Sequence, residues 1–130
     1  MKIHKMDDTL LQLINSLRIK EEIIVGYKGE EIHRISLSEV YYFEAVEKKT
    51  FLYLEQEVYE IKERLYQIEE KYSDTDFVRI SKSVIVNVNK IVSVSPELSG
   101  RLSAKLENGE KQQISRFYVN LLKQKLGLEV

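Results

Sequence analysis

From residue 23 onward the apolar residues recur in short runs with a period of two, which restricts the chain to a fold of many short β-strands. Turn residues separate the runs, and Gly29 is placed to take a positive φ between the first two. The predicted strands in this half are residues 23–27, 32–37, 40–45, 51–54 and 57–60. We expect the last of these at a sheet edge, and we expect residues 46–49 to form a loop.

Three segments have helical spacing of their apolar residues instead. In residues 7–22, where Asp7 or Asp8 is placed to cap a helix, the apolar side consists of Leu10, Leu13, Ile14 and Leu17. In residues 61–72 it consists of Ile61, Leu65, Ile68 and Tyr72. In a last helix, with Ser115 as the candidate N-cap and Gly127 as the stop, it consists of Val119, Leu122 and Leu126.

Five further strands are predicted in the second half, at residues 77–80, 84–88, 91–94, 102–106 and 111–114. The only proline, Pro96, ends the third of them. Asn108 and Gly109 have the pattern of a two-residue type I′ hairpin between the last two. Asn87 is expected to bond buried backbone. The sequence therefore predicts a mainly β protein of antiparallel sheets with two or three short helices, with residues 1–22 as a helix or linker and residues 23–130 as one domain.

The net charge of −1 is unevenly distributed along the chain. Residues 1–78 hold 11 Lys and Arg against 17 Asp and Glu, whereas residues 79–130 hold 9 against 4. The C-terminal part is therefore basic enough to face phosphate groups, unless the acidic residues merely cluster on other solvated faces.

Several classes of function lack their motifs in this sequence. The five glycines are far apart and match no nucleotide-binding loop, and there is no cysteine to act as a nucleophile. With only His4 and His33 besides, neither a zinc site nor a disulfide is expected. Because these motifs are missing, we expect a protein that is not an enzyme and needs no cofactor. No apolar run is long enough to span a bilayer or to act as a signal peptide, so we also expect the protein to be cytoplasmic.

Four ordered blocks resemble the LytTR family of bacterial DNA-binding domains. The central block, residues 77–91 (FVRISKSVIVNVNKI), resembles the family pattern Phe-x-Arg-x-His-(Arg/Lys)-Ser-x-(Ile/Val)-Val-Asn. Residues 40–45 resemble its Tyr-(Ile/Phe)-Glu strand, and residues 100–110 and 115–119 resemble its Gly-x-Leu, Asn-Gly-Glu and Ser-Arg blocks. Together the resemblance covers roughly residues 30–127.

The resemblance implies an elongated β-β-β arrangement that contacts DNA through three loops rather than through a recognition helix. In the family the first and third loops enter successive major grooves, and the second spans the minor groove between them. Residues carried over to these loops are Lys48, Lys49 and Thr50 in the first, Ser81, Lys82 and Ser83 in the second, and Ser115 and Arg116 in the third.

Arg116 is the expected base reader, because a guanidinium can bond a guanine edge through two hydrogen bonds. The serines and lysines could bind phosphate oxygens. The serines could equally cap backbone groups, and the lysines could simply be solvated. Thr50 could bond a base or be a strand residue. The chain departs from the family at two positions of the second loop. Ser81 stands where histidine is frequent, and Lys82 stands where arginine is frequent. Lysine lacks the planar fork of the guanidinium group.

The resemblance also implies partners. We expect double-stranded DNA with paired direct repeats, and we leave open a homodimer on DNA through the N-terminal helix and a membrane-protein or sensor partner. Residues 1–29 are too few for a receiver domain, so the chain is either a stand-alone regulator or the C-terminal piece of a longer one. The rival hypothesis is a protein-interaction module on the same fold that titrates a regulatory partner without binding DNA.

Overall fold

The computed structural model describes residues 22–128 together with Thr9, Leu10 and Leu13. These last three residues are helical, and both leucines are exposed, whereas the rest of the helix predicted at residues 7–22 lies outside the described residues. No helix within the described part of the chain is long and apolar enough to cross a bilayer.

Residues 22–128 form short strands with two α-helices between and after them. The strands are β1 (Ile23–Lys28), β2 (Glu31–Ser36), β3 (Tyr42–Val46), β4 (Lys49–Tyr53), β5 (Val58–Ile61), β6 (Phe77–Arg79), β7 (Val84–Asn87), β8 (Ile91–Pro96), β9 (Leu102–Leu106) and β10 (Lys111–Ile114). The helices are α1 (Leu65–Lys71) and α2 (Val119–Lys125). Single 3₁₀ turns occupy Leu37–Glu39, Val88–Lys90, Leu98–Gly100 and Arg116–Tyr118.

All strand pairs in this part of the chain are antiparallel, and they make two sheets. The larger sheet has the order β2-β1-β5-β4-β3-β7-β6, and the smaller has the order β10-β9-β8. The β1–β2 hairpin joins the larger sheet through a single pair, Tyr27 with Glu60. The predicted mainly β architecture of antiparallel sheets with short helices is confirmed.

Two hydrophobic cores lie on opposite faces of the central strands. The first packs the β1–β2 hairpin and α1 against the larger sheet, around Phe43, Leu52 and Ile68. The second packs the smaller sheet and α2 against β3, β6 and β7. Tyr42 links the two sheets, because its hydroxyl donates to Glu110 Oε2 at 2.8 Å. Burial, the hydrogen bond to Glu110 and the charge of Glu110 all raise the Tyr42 pKa far above 10, so the phenol remains a donor at neutral pH.

The predictions for residues 57–72 need two corrections. The fifth strand lies between β1 and β4 and not at a sheet edge. The helix begins at Leu65 and not at Ile61, because Ile61 pairs with Thr50 and is buried as the last residue of β5. Arg64 has an extended backbone, and its amide donates to Gln67 Oε1 at 2.8 Å, which caps the helix locally.

The prediction of a two-residue type I′ hairpin is wrong. Leu106 N donates to Glu110 O at 2.8 Å, so three residues form the loop, and Gly109 alone of them has a positive φ, of 90°. A type I′ turn needs positive φ at Asn108 as well. The Asn108 side chain instead donates to Glu55 O at 3.1 Å and accepts from Glu110 N at 3.1 Å. The first bond ties the loop to the β4–β5 turn, and the second holds the loop itself.

Asn87 bonds buried backbone, as the sequence predicts. Its side chain is 2% exposed, Nδ2 donates to Val40 O at 2.9 Å, and Oδ1 accepts from Asn89 N at 3.0 Å. The residue therefore joins the end of β7 to the segment that enters β3.

We predict that Asn87→Ala destabilises the fold by about 1–3 kcal/mol, because it removes the partner of the buried Val40 carbonyl and of the part-buried Asn89 amide. Urea denaturation followed by circular dichroism measures the change. Asn120→Ala, at an exposed position of α2, is the matched control and should be nearly neutral. Equal stability of Asn87→Ala and wild type would contradict the role assigned to this side chain.

Candidate nucleic-acid interface

The three predicted DNA-contacting loops lie side by side at one end of the molecule. Ala45 N donates to Ser83 O at 2.8 Å, which joins the first loop to the second. Ser115 N donates to Ile80 O at 2.9 Å, which joins the second loop to the third. Residues distant in sequence thus form one continuous surface held by backbone hydrogen bonds.

The first loop is a two-residue turn, shorter than predicted. Val46 pairs with Lys49, so only Glu47, with φ of 57°, and Lys48 lie outside the strands. Lys48 is exposed, and Lys49 is exposed at the first position of β4 with its Nζ 3.9 Å from Glu60 Oε1. Of the two alternatives for Thr50, the structure favours the strand residue, because Thr50 lies within β4 and is only 2% exposed.

The second loop presents one exposed cation between two serines. Lys82 is exposed, and no hydrogen bond or ion pair within residues 22–128 engages its ammonium group. Ser81 Oγ accepts from Ser83 N at 3.2 Å, so the loop is braced by a side-chain turn. The Ser81 hydroxyl keeps its own proton for donation, and both serines are partly exposed.

The third loop exposes Arg116 on a 3₁₀ turn ahead of α2. No acidic side chain within the described residues forms an ion pair with Arg116, and its guanidinium lies 5.1 Å from the ring centroid of Phe117. Phe117 itself is 79% exposed. Ser115 precedes the turn without forming a side-chain cap, and its carbonyl accepts from Tyr118 N at 2.8 Å. The Ser115 hydroxyl is therefore not used by the helix.

Two arginines adjoin the loops and were not among the residues predicted from sequence. Arg64 Nη1 donates to Lys48 O at 3.0 Å and so holds the first loop. Arg101 lines a surface cavity of about 340 Å³ with Ser99, Ser115, Arg116 and Phe117. The sequence does not indicate that Arg64 and Arg101 lie near the loops, because the start of α1 and the β8–β9 turn approach the loops only in the folded chain.

The opposite end of the molecule is acidic. The β4–β5 turn there contributes to a cavity of about 520 Å³ whose charged lining residues are Glu39, Glu55, Glu57, Glu107 and Lys90. Lys90 Nζ is 3.9 Å from Glu107 Oε1, and Glu57 pairs with Lys28. These four glutamates thus lie away from the three loops, whereas Glu47 lies within the first loop and Glu60 lies close to Lys49.

The model of the LytTr DNA-binding domain matches residues 30–127, a range that contains all three loops. This places the chain among the DNA-binding domains of bacterial transcription regulators. The chain belongs to the LytTr DNA-binding domain family.

Relatives and a solved structure agree with this assignment. An uncharacterised transcriptional regulator of Staphylococcus aureus is 32% identical over 126 residues, which is 95% of this chain and 85% of that protein. The sensory transduction protein LytT of Enterococcus faecalis is 32% identical over 109 residues, covering 84% of this chain and 45% of LytT. A LytTr DNA-binding domain of a response regulator from Bacillus cereus has a TM-score of 0.77 at 28% identity, covering 84% of this chain and 99% of that one.

The S. aureus relative is named as a regulator of the helix-turn-helix type. In this chain α1 is followed by strand β6, and α2 follows strand β10 through a 3₁₀ turn. Residues 22–128 therefore contain no pair of helices joined by a tight turn, and the candidate interface of this chain is made of loops.

We predict that Ser81→Ala speeds hydrogen exchange at the Ser83 amide by about threefold to tenfold, because that amide loses its acceptor, a bond worth about 1 kcal/mol. Exchange measured by NMR at single amides tests this. The Ser115 amide, which donates to the Ile80 carbonyl, is the internal control and should be unchanged. Unaltered exchange at Ser83 would show that the Ser81 hydroxyl does not brace the loop.

Proposed function

We propose that this chain regulates transcription by sequence-specific binding of double-stranded DNA through the three adjoining loops. The observation that carries the proposal is the position of Arg116 at the end of a surface braced by backbone bonds, where it is exposed and has no acidic partner among residues 22–128. A guanidinium in that condition can reach a guanine edge without first breaking an ion pair. Preformed loops also reduce the ordering cost of binding.

The other loop residues have supporting roles in this proposal. Lys48, Lys49 and Lys82 neutralise phosphates, and Ser81, Ser83 and Ser115 donate hydroxyl bonds to phosphate oxygens. Arg101 and Arg64 extend the cationic surface at its two sides. Thr50 has no part in it, because its side chain is buried in β4.

The charge distribution supports the proposal despite the net charge of −1. Lys48, Lys82 and Arg116 are exposed at the loop end beside one acid, Glu47. Four glutamates, Glu39, Glu55, Glu57 and Glu107, lie at the other end. A polar molecule of this kind is turned with its loop end toward the phosphates as it approaches DNA. We further propose paired direct repeats as the operator, with one copy on each repeat, and a non-enzymatic role in the cell.

We predict that Arg116→Ala lowers the preference for the selected operator over a scrambled duplex by about 1–3 kcal/mol. The operator is obtained by selection from random oligonucleotides with wild-type protein, and gel shifts then give the dissociation constants. Arg116→Lys should keep affinity for both duplexes but not the preference, because the ammonium lacks the planar fork.

The matched control is Lys71→Ala, which removes one exposed cation from the last turn of α1 and should leave the preference intact. Selection that enriches no motif with wild-type protein, even at low salt, would overturn the proposal. That result would favour the rival function, a module that binds a regulatory protein and not DNA.

We predict that Lys82→Ala weakens binding to all duplexes equally and lowers the slope of log K against log salt concentration by about 0.9. A phosphate contact carries no sequence information, so the operator preference should persist. Titrations at four or more salt concentrations measure the slope, again with Lys71→Ala as the control. An unchanged slope would remove Lys82 from the interface without affecting the role of Arg116.

A further inference from the structure

Phe117 is a large aromatic side chain that stands in solvent at the third loop. It is 79% exposed, whereas Phe43 and Phe77 are buried and Phe51 is partly buried. These are the four phenylalanines of the chain. Because single exposed apolar residues are common on protein surfaces, the exposure of Phe117 acquires meaning only from its neighbours.

The third loop holds Phe117 in a fixed place beside Arg116. Tyr118, the next residue, packs against the second core, whereas Arg116 and Phe117 are both exposed. The turn that carries them is closed by the bond from Tyr118 N to Ser115 O at 2.8 Å. The ring is therefore presented by a braced turn that is anchored in the core on its other side.

The neighbours of the ring are cationic. The guanidinium of Arg116 lies 5.1 Å from the ring centroid, which is within the range of a cation–π contact. The cavity of about 340 Å³ beside the ring has, among the described residues, two arginines and two serines as its other lining residues and no acidic one. Such a surface fits a partner that carries anionic groups and apolar groups together. A nucleic acid has both, in its phosphates and on its bases.

The role of Arg116 determines which apolar group the ring meets. If Arg116 binds the O6 and N7 edge of a guanine, as the proposed function has it, the third loop lies in the major groove. The apolar group that base pairs present in that groove is the C5 methyl group of thymine. Successive bases of a strand are about 3.4 Å apart. A ring 5.1 Å from the guanidinium therefore lies one or two base pairs from the guanine.

We propose that Phe117 is a second base-reading residue, which contacts the C5 methyl group of a thymine one or two base pairs from the guanine bound by Arg116. This inference rests on the proposed function and adds to it. It assigns the operator a guanine and a thymine at neighbouring positions, read by two consecutive residues. Arg116 reads through hydrogen bonds, and Phe117 reads through apolar contact.

Replacing the thymine by deoxyuridine tests the contact, because deoxyuridine pairs in the same way and lacks only the methyl group. The duplex is the operator selected with wild-type protein, and gel shifts give the dissociation constants. Deoxyuridine should weaken binding of wild type by about threefold to fivefold, as expected for one methyl group removed from an apolar contact. It should leave the affinity of Phe117→Ala unchanged, because that variant has already lost the contact.

Val92→Ala is the matched control. Val92 is a 62% exposed aliphatic residue on β8, outside the three loops, so this variant should show the same loss on deoxyuridine as wild type. Phe117→Leu keeps an apolar side chain without a ring and should retain part of the loss. Circular dichroism should show an unchanged fold for Phe117→Ala, since the side chain is exposed.

Three results would contradict this inference and leave the proposed function in place, provided that Arg116→Ala still loses the operator preference. The first is an operator with no thymine within two base pairs of the guanine. The second is equal binding of thymine and deoxyuridine by wild type, as expected of a ring that wedges between base pairs from the minor groove. The third is a loss on deoxyuridine that persists in Phe117→Ala. Selection that enriches no motif would overturn the proposed function and this inference together.

Discussion

Strand β7 is buried on both of its faces, and the position of the candidate interface depends on this burial. Ile85 packs into the first core, whereas Val84 and Val86 pack into the second. The strand pairs with β3 on one side and with β6 on the other. The second loop leads directly into β7, so the packing of the two cores fixes the backbone of this loop. The second loop can therefore hold the first and third loops through the hydrogen bonds that join it to them.

The alternation of apolar residues predicted most strands, but it failed where a residue satisfies two patterns. Ile61 fits the helical stripe of α1 and also the inward side of β5, and pairing with Thr50 decides between them. Turn geometry was the second source of error. Glu47 takes a positive φ without being glycine, so the β3–β4 turn is two residues long and draws Thr50 into the strand.

The candidate site was predicted in part because its loops follow recognisable motifs of local sequence. The loops meet only through tertiary structure, because the residues whose backbones bond, Ala45 with Ser83 and Ser115 with Ile80, are far apart in the chain. Periodicity contains no information on such pairs. For the same reason Arg101 could not be selected from sequence, although it lies within residues 100–110, which resemble the family pattern. Its proximity to the third loop arises only from the packing of the smaller sheet.

Two residues of the second loop, Ser81 and Lys82, differ from those frequent in the family, and this changes which residues of the proposed interface can read bases. Lysine at position 82 is a compact charge without a planar fork, so it contributes to affinity and little to discrimination between sequences. The Ser81 hydroxyl accepts from the Ser83 amide and has only its own proton left, which the proposal assigns to a phosphate oxygen, and Thr50 is buried. Direct reading of bases in this proposal therefore falls mainly on Arg116. Under this proposal, an interface with so few direct readers would gain further specificity from the shape of the DNA and from two copies bound to repeated sites.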